Sequence, residues 1–287
     1  ITFRDIYNYI SPKLFWTCNL FPHFLVWSGS SSKEQLVILS GMVVINFAAK
    51  RSFAAKNLNI NLIFVLLAML VIFIIRPNYF VIYFVILTTA LLSPLLEKMV
   101  SQRLSVGIWV LVFSLLTAGV ITYLWLLGTF FSEDLVDFMR KVQYMFLAYS
   151  DSGSNRINIQ WEDVNDFLFN AFWAIPQGLI GPTLLEGLSK PVQFPAFLEG
   201  LLYLTVLSYL FFKLLQLSIK SRTLRVHILP YMYVCFAIVF VSYPYLMFNP
   251  GSALRYKQAM HPILIFYPLL ILAYYKANNL IKINTKK

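Results

Sequence analysis

Eight apolar runs, separated by segments that hold most of the charge, leave this chain few ways to fold. A helix needs about 20 apolar residues to cross the hydrocarbon core of a bilayer. Runs of this kind fall near residues 13–28, 35–49, 58–76, 78–97, 104–131, 193–217, 225–248 and 258–276. The first two are short, and Pro22 interrupts the first. None alternates apolar with polar residues as barrel strands do, so the backbone groups must be satisfied within helices. The expected fold class is all-α: a polytopic integral membrane protein of about eight transmembrane helices, forming a single transmembrane domain over residues 1–287.

Composition excludes the main alternatives. With 59% hydrophobic residues, 12% charged and a mean hydropathy of +0.72, the chain lies far from soluble domains. Its 26 Phe and 17 Tyr suit a lipid-facing surface with interfacial rings. Cys18 and Cys235 each stand alone in an apolar stretch, which indicates neither a disulfide framework nor a zinc site. A net charge of +11 would suit nucleic acid only if the basic residues shared one water-exposed face. They lie instead in short clusters between apolar runs, so no nucleic-acid partner is expected. The chain opens with Ile1 and shows no basic leader region before its first apolar run. A fragment lacking an N-terminal part is the expectation, with removal of a leader as the other explanation.

Lys and Arg also set the orientation, because cytoplasmic loops carry their excess. Lys50, Arg51 and Lys56 mark one cytoplasmic loop, Lys98 and Arg103 a second, and Lys213, Lys220, Arg222 and Arg225 a third. With both ends inside, the cytoplasmic face holds 15 of the 23 basic residues but only Asp5 and Glu97 of the 12 acids. The region 132–192 is then extracytoplasmic at both ends, so its apolar stretch 167–185 cannot cross once. Pro176, Gly178, Gly181 and Pro182 are expected to break a helix there, giving a re-entrant or surface-lying segment. Just before it, Leu135, Phe138, Met139, Val142, Met145 and Phe146 recur at helical spacing opposite Asp137, Arg140 and Lys141. That pattern predicts an amphipathic helix on the outer membrane surface. An ordinary crossing with an unusual charge distribution is the alternative.

Most polar clusters that do not anchor the cytoplasmic side fall on the outer face. Ser31 and Glu34 have the spacing of a capping box, which accounts for Glu34 but not for Lys33. Arg76-Pro77-Asn78 joins two apolar spans with almost no loop. Arg76 either snorkels to the interface or faces a cavity and holds an anion. Asn249 can cap a helix that starts at Pro250, where a missing N–H is harmless. Arg255, Gln258 and His261 then follow at intervals of three, with Lys257 between them. A helix N-terminus near arginine and lysine suits phosphate or pyrophosphate, whereas His261 before Pro262 can simply bond backbone freed by a proline kink. The outer acids Asp151, Glu162, Asp163 and Asp166 offer a carboxylate base or a solvated surface. No Walker loop, dinucleotide fingerprint, zinc-ligand spacing or nucleophile elbow occurs.

The order FPHFLVWSGSSSKEQLVILSG, IIRPNYF, AIPQGLIGPTLLE and NPGSALRYKQAMHPIL resembles multi-spanning proteins of bacterial polysaccharide gene clusters that look like oligosaccharide repeat-unit polymerases of O-antigen and exopolysaccharide. In that likeness Lys33 and Glu34 match a Ser-Gly-x-Gly-Lys-Glu/Asp turn, and Arg76 and Pro77 match an Arg-Pro-His motif. Asn249, Gly251, Ser252, Arg255 and Lys257 match an Asn-x-Gly-Thr-x-x-Arg-x-Arg motif. Asn78 stands where the pattern has histidine, Lys257 where it has arginine, and the turn has an extra serine. Asn78 cannot titrate, which removes acid–base chemistry at that position.

The resemblance implies a metal-independent membrane glycosyltransferase of the polymerase type. It would join lipid-pyrophosphate-linked oligosaccharides on the outer face of the bacterial cytoplasmic membrane, without a cofactor. Arg255 and Glu34 are the candidate catalytic residues; Lys33, Arg76, Lys257, Gln258 and His261 are the candidate substrate-binding ones. Implied partners are a polyprenyl-pyrophosphate-linked oligosaccharide, membrane lipid and other polysaccharide assembly proteins. The physical logic is that cations can stabilise a lipid pyrophosphate leaving group. Two alternatives stand beside it: a glycosyltransferase using a polyprenyl-phosphate sugar, and a lipid-linked oligosaccharide flippase. A flippase calls for polar residues along a passage and internal repeats, and neither is evident.

Overall fold

The computed structural model of the chain describes residues 33–53, 62–101, 135–148, 164–220 and 246–284, with single positions and short stretches near 11–14 and 228–242. Every element among the described residues is helical, as long apolar runs without alternation require. In chain order they are α1 (Lys33–Phe53), α2 (Leu62–Ile75), α3 (Pro77–Ser101), α4 (Leu135–Ala148), α5 (Val164–Ile180) and α6 (Leu184–Ser189). A 3-10 turn, Pro191–Gln193, leads into α7 (Phe194–Lys220). Then come α8 (Pro250–His261), a π-helical turn (Pro262–Phe266) and α9 (Tyr267–Asn284).

The runs near 35–49, 58–76, 78–97, 193–217 and 258–276 are thus helical where described. Those at 104–131 and nearly all of 13–28 lie outside the described residues, as does much of 225–248. Among the described residues, two helical stretches, Pro191–Lys220 of 30 residues and Ala253–Ala277 of 25, are long and apolar enough to cross a membrane. The first leaves Leu198, Leu202, Phe212 and Ile219 open, whereas Leu264 to Ala273 in the second are buried. On α2, Ile63, Phe64, Leu67 and Ile74 are likewise exposed. Open apolar faces of this extent suit a hydrocarbon surrounding, since water would not tolerate so large a patch.

The chain divides into two compact units. One comprises Ile1–Arg103, Thr205–Ile238 and Gln258–Lys287. In it α1, α2 and α3 pack on one another, and α1 also packs on the π turn and α9. Val37, Val44, Ile45, Val65, Ile72 and Tyr83 are fully buried there. A Cβ on Gly41 would fall on the Tyr83 hydroxyl, so glycine is what lets this ring lie against α1; small residues allow such close approach between apolar helices. Hydroxyls inside α3 are satisfied by their own helix: Thr88, Thr89 and Ser93 donate to the carbonyls of Phe84, Val85 and Ala90 at 2.8, 2.7 and 2.8 Å.

The other unit comprises Leu104–Leu204 and Val239–Lys257. Here α4 occupies the stretch expected to be an amphipathic helix. Val142 is buried while Asp137, Arg140 and Lys141 are exposed, and Arg140 reaches Asp137 at 3.4 Å. Met145, on the expected apolar face, is exposed together with Tyr144.

The expected breaks at Pro176 and Gly178 do not occur: α5 runs through both to Ile180. Pro176 removes only the bond to Phe172, and Phe172 and Pro176 are exposed, so the helix can bend outwards there. The break comes at Gly181, whose φ of 99° is one that L side chains rarely adopt. Gly181 N–H donates to the Gln177 carbonyl at 2.9 Å, and Gln177 Nε2 donates back to the Gly181 carbonyl at 2.9 Å. Pro182 follows, and a capping box opens α6: Glu186 N–H donates to Thr183 Oγ1 at 3.0 Å while Thr183 N–H donates to Glu186 Oε2 at 2.6 Å.

Candidate functional site

Helix α8 begins as its sequence predicts. Asn249 caps it, its Oδ1 accepting from Gly251 N–H at 2.7 Å and its carbonyl from Ala253 N–H at 3.0 Å, with Pro250 in the first helical position. Its polar residues then separate by face. Successive residues turn by about 100° in an α-helix, so Arg255 and Lys257, two apart, point in nearly opposite directions. Arg255 is exposed and Lys257 is fully buried. The structure therefore does not bring these two cations together, although both matched one short motif.

Lys257 has an unusual setting. Its ammonium lies 5.1 Å from the centroid of the Tyr203 ring on α7, and Tyr203 is also fully buried. Nζ has no hydrogen-bond partner, and Glu199, buried one turn earlier on α7, makes none with it. Burying an ammonium costs several kcal/mol even after relaxation. A desolvated cation–π contact returns roughly 2 kcal/mol. The ring contact therefore offsets only part of the cost of burial.

Two of the motif-bearing stretches meet around this helix. A Cβ on Gly178 would fall 2.5 Å from Leu246 Cβ, and one on Gly181 would lie 3.4 Å from the Leu254 side chain. On the other flank α7 comes so close to the end of α5 that a Cβ on Gly200 would overlap the Ile180 carbonyl. The Pro-Gly segment, the start of α8 and the turn of α7 that carries Tyr203 thus form one packed arrangement within the second unit, with Lys257 inside it.

Gln258 and His261 follow on α8 and are fully buried. Neither the oxygen nor the nitrogen of the Gln258 amide has a hydrogen-bond partner. The His261 ring packs edge-on against Phe266 at 5.1 Å. Pro262 turns the helix into its π segment, where Tyr267 N–H donates to the Pro262 carbonyl. Backbone displaced by this kink is bonded by Tyr231, whose hydroxyl donates to the Leu264 carbonyl at 3.2 Å.

Arg76 belongs to the first unit, with Lys33 and Glu34. Its amide donates to the Ile72 carbonyl at 2.8 Å, and its own carbonyl accepts from Tyr79 and Phe80 at 3.0 and 3.2 Å. It therefore ends α2 and starts α3 at once, with its side chain half-buried. Lys33 and Glu34 are the first two residues of α1; their side chains and Ser31 lie outside the described residues. The acids Asp151, Glu162 and Asp163 lie outside them too, while Asp166 is half-buried in the first turn of α5.

No protein-family model, curated protein or solved structure matches this chain. The site must be judged on its chemistry. Tyr203 belongs to no motif, and only a contact between distant segments places it beside Lys257. The capping box of α6 was legible in Thr183-Leu-Leu-Glu186, whose spacing is that of the pattern.

Proposed function

We propose that the chain is a multi-pass bacterial membrane glycosyltransferase of the polysaccharide polymerase type, acting on lipid-pyrophosphate-linked oligosaccharides at the outer face of the cytoplasmic membrane. The observation that carries this reading is Lys257, whose Nζ is buried with no hydrogen-bond partner among the described residues, in a helix that begins with the Asn-x-Gly motif. A site held in that condition favours an anion, and pyrophosphate is the anion of the resembled reaction.

In the reaction an acceptor hydroxyl attacks the anomeric carbon of the donor. The bond from that carbon to the pyrophosphate oxygen breaks, the new glycosidic bond forms, and polyprenyl pyrophosphate leaves with the bonding electrons. Lys257 stabilises the charge that develops on the leaving oxygen. From the motifs alone, Glu34 is the candidate to take the acceptor's proton, and Lys33, Arg76, Gln258 and His261 are the candidates for binding, each proposed from its own stretch of sequence. Arg255, open on the opposite face of α8, is assigned to the second lipid pyrophosphate, since a polymerase handles two.

Arg255→Lys tests this assignment, because it keeps the charge and loses the planar fork that grips phosphate at two points. Polymer made by a strain lacking the native gene should fall by roughly ten- to a hundred-fold, the equivalent of one charge-assisted hydrogen bond, with the variant protein still present in the membrane. Normal chain length from Arg255→Lys would make Arg255 an interfacial anchor.

A further inference from the structure

We infer that Tyr203 is a positioning residue, whose ring holds the Lys257 ammonium in place for the anion. This rests on the reading of Lys257 given above and adds a residue that no motif contains. A lysine side chain has four rotatable carbons and three donors. Left alone in an apolar interior it would swing towards the nearest polar group or the membrane surface. The Tyr203 ring prevents this, because its negative face attracts the ammonium without neutralising it. A carboxylate in the same place would occupy the donors and cancel the charge that an incoming anion needs. The ring does neither.

The fold fixes the ring as well. Tyr203 lies three residues after Gly200 and so on the same side of α7. Gly200 is the point at which α7 lies against the Ile180 carbonyl. A helix seated on backbone has little freedom to slide, so the ring is presented to Lys257 at a set depth. The arrangement is completed from the Pro-Gly side by Gly178 against Leu246. All of these contacts lie in one unit.

The test uses the full chain purified in detergent, with inorganic pyrophosphate as probe and calorimetry as readout. Tyr203→Leu removes the ring face, and binding should weaken on the order of thirty-fold, the equivalent of one desolvated cation–π contact. Tyr203→Phe keeps the face and should stay within about three-fold. The decisive arm is a double-mutant cycle: in a Lys257→Met background, Tyr203→Leu should weaken binding no further. An equal loss in both backgrounds would overturn the inference, leaving Tyr203 as packing only. So would a Tyr203→Phe variant as weak as Tyr203→Leu, which would place the effect in the hydroxyl. If the wild type shows no pyrophosphate binding at all, the reading of Lys257 as an anion site fails, and the role of Tyr203 with it.

Discussion

Lys257→Met should abolish polymer while leaving the protein at least as stable as the wild type. The two halves of this expectation come from the same residue. Methionine has nearly the length of the lysine stem and adapts to irregular space. It removes a buried amine that has no hydrogen-bond partner among the described residues. Replacing buried ions with apolar side chains is often neutral or stabilising by about 1 to 4 kcal/mol. A structural lysine would behave in the opposite way. Loss of one transition-state contact to the leaving group should meanwhile lower the rate by roughly a hundred- to a thousand-fold. Chain length of the polymer and thermal midpoint of the purified protein, measured on one variant, decide the matter. Normal polymer from Lys257→Met would contradict the account, as would a marked fall in the midpoint.

Gly200→Ala should have the largest effect on folding. In an ordinary helix the change gains about 0.8 to 1.0 kcal/mol from propensity. Here the added Cβ would overlap the Ile180 carbonyl, and backbone at the end of α5 cannot swing aside as a side chain can. Overpacking costs typically about 1 to 3 kcal/mol and sometimes more, so the clash outweighs the propensity gain. The expected result is a sharp drop in membrane accumulation and in thermal midpoint. Leu202→Ala, two residues along with its side chain exposed, should have little effect. If Gly200→Ala accumulates and melts like the wild type, α7 does not rest on the end of α5.

The helical architecture was legible because apolar length is a local property. The runs that became α1, α2, α3 and α7 needed no knowledge of their neighbours, and neither did the junction at Arg76-Pro77 or the cap at Asn249. The course of α5 was not legible. Pro176 is a helix breaker by propensity, yet its exposed position lets the helix bend and continue, and exposure depends on tertiary packing. Gly181 and Pro182 did mark the break, since a left-handed residue followed by proline ends a helix whatever surrounds it.

The candidate site divided along the same line. Lys257, Gln258 and His261 were identifiable as polar residues in an apolar stretch, and all three are buried. The opposed directions of Arg255 and Lys257 follow from a spacing of two, which motif matching ignores and helix geometry does not. Tyr203 stands 54 positions before Lys257 in the sequence, and only folding makes them neighbours. Its tyrosine is one of 17 in the chain, so composition gave no reason to single it out.

The most direct measurement is native mass spectrometry of the purified full chain with a polyprenyl-pyrophosphate-linked oligosaccharide extracted from a polysaccharide-producing strain. The wild type should hold the lipid-linked saccharide through gentle detergent removal, and Lys257→Met should lose it while remaining folded. Retention by both proteins, or by neither, would contradict the claim that the buried lysine is where the pyrophosphate binds.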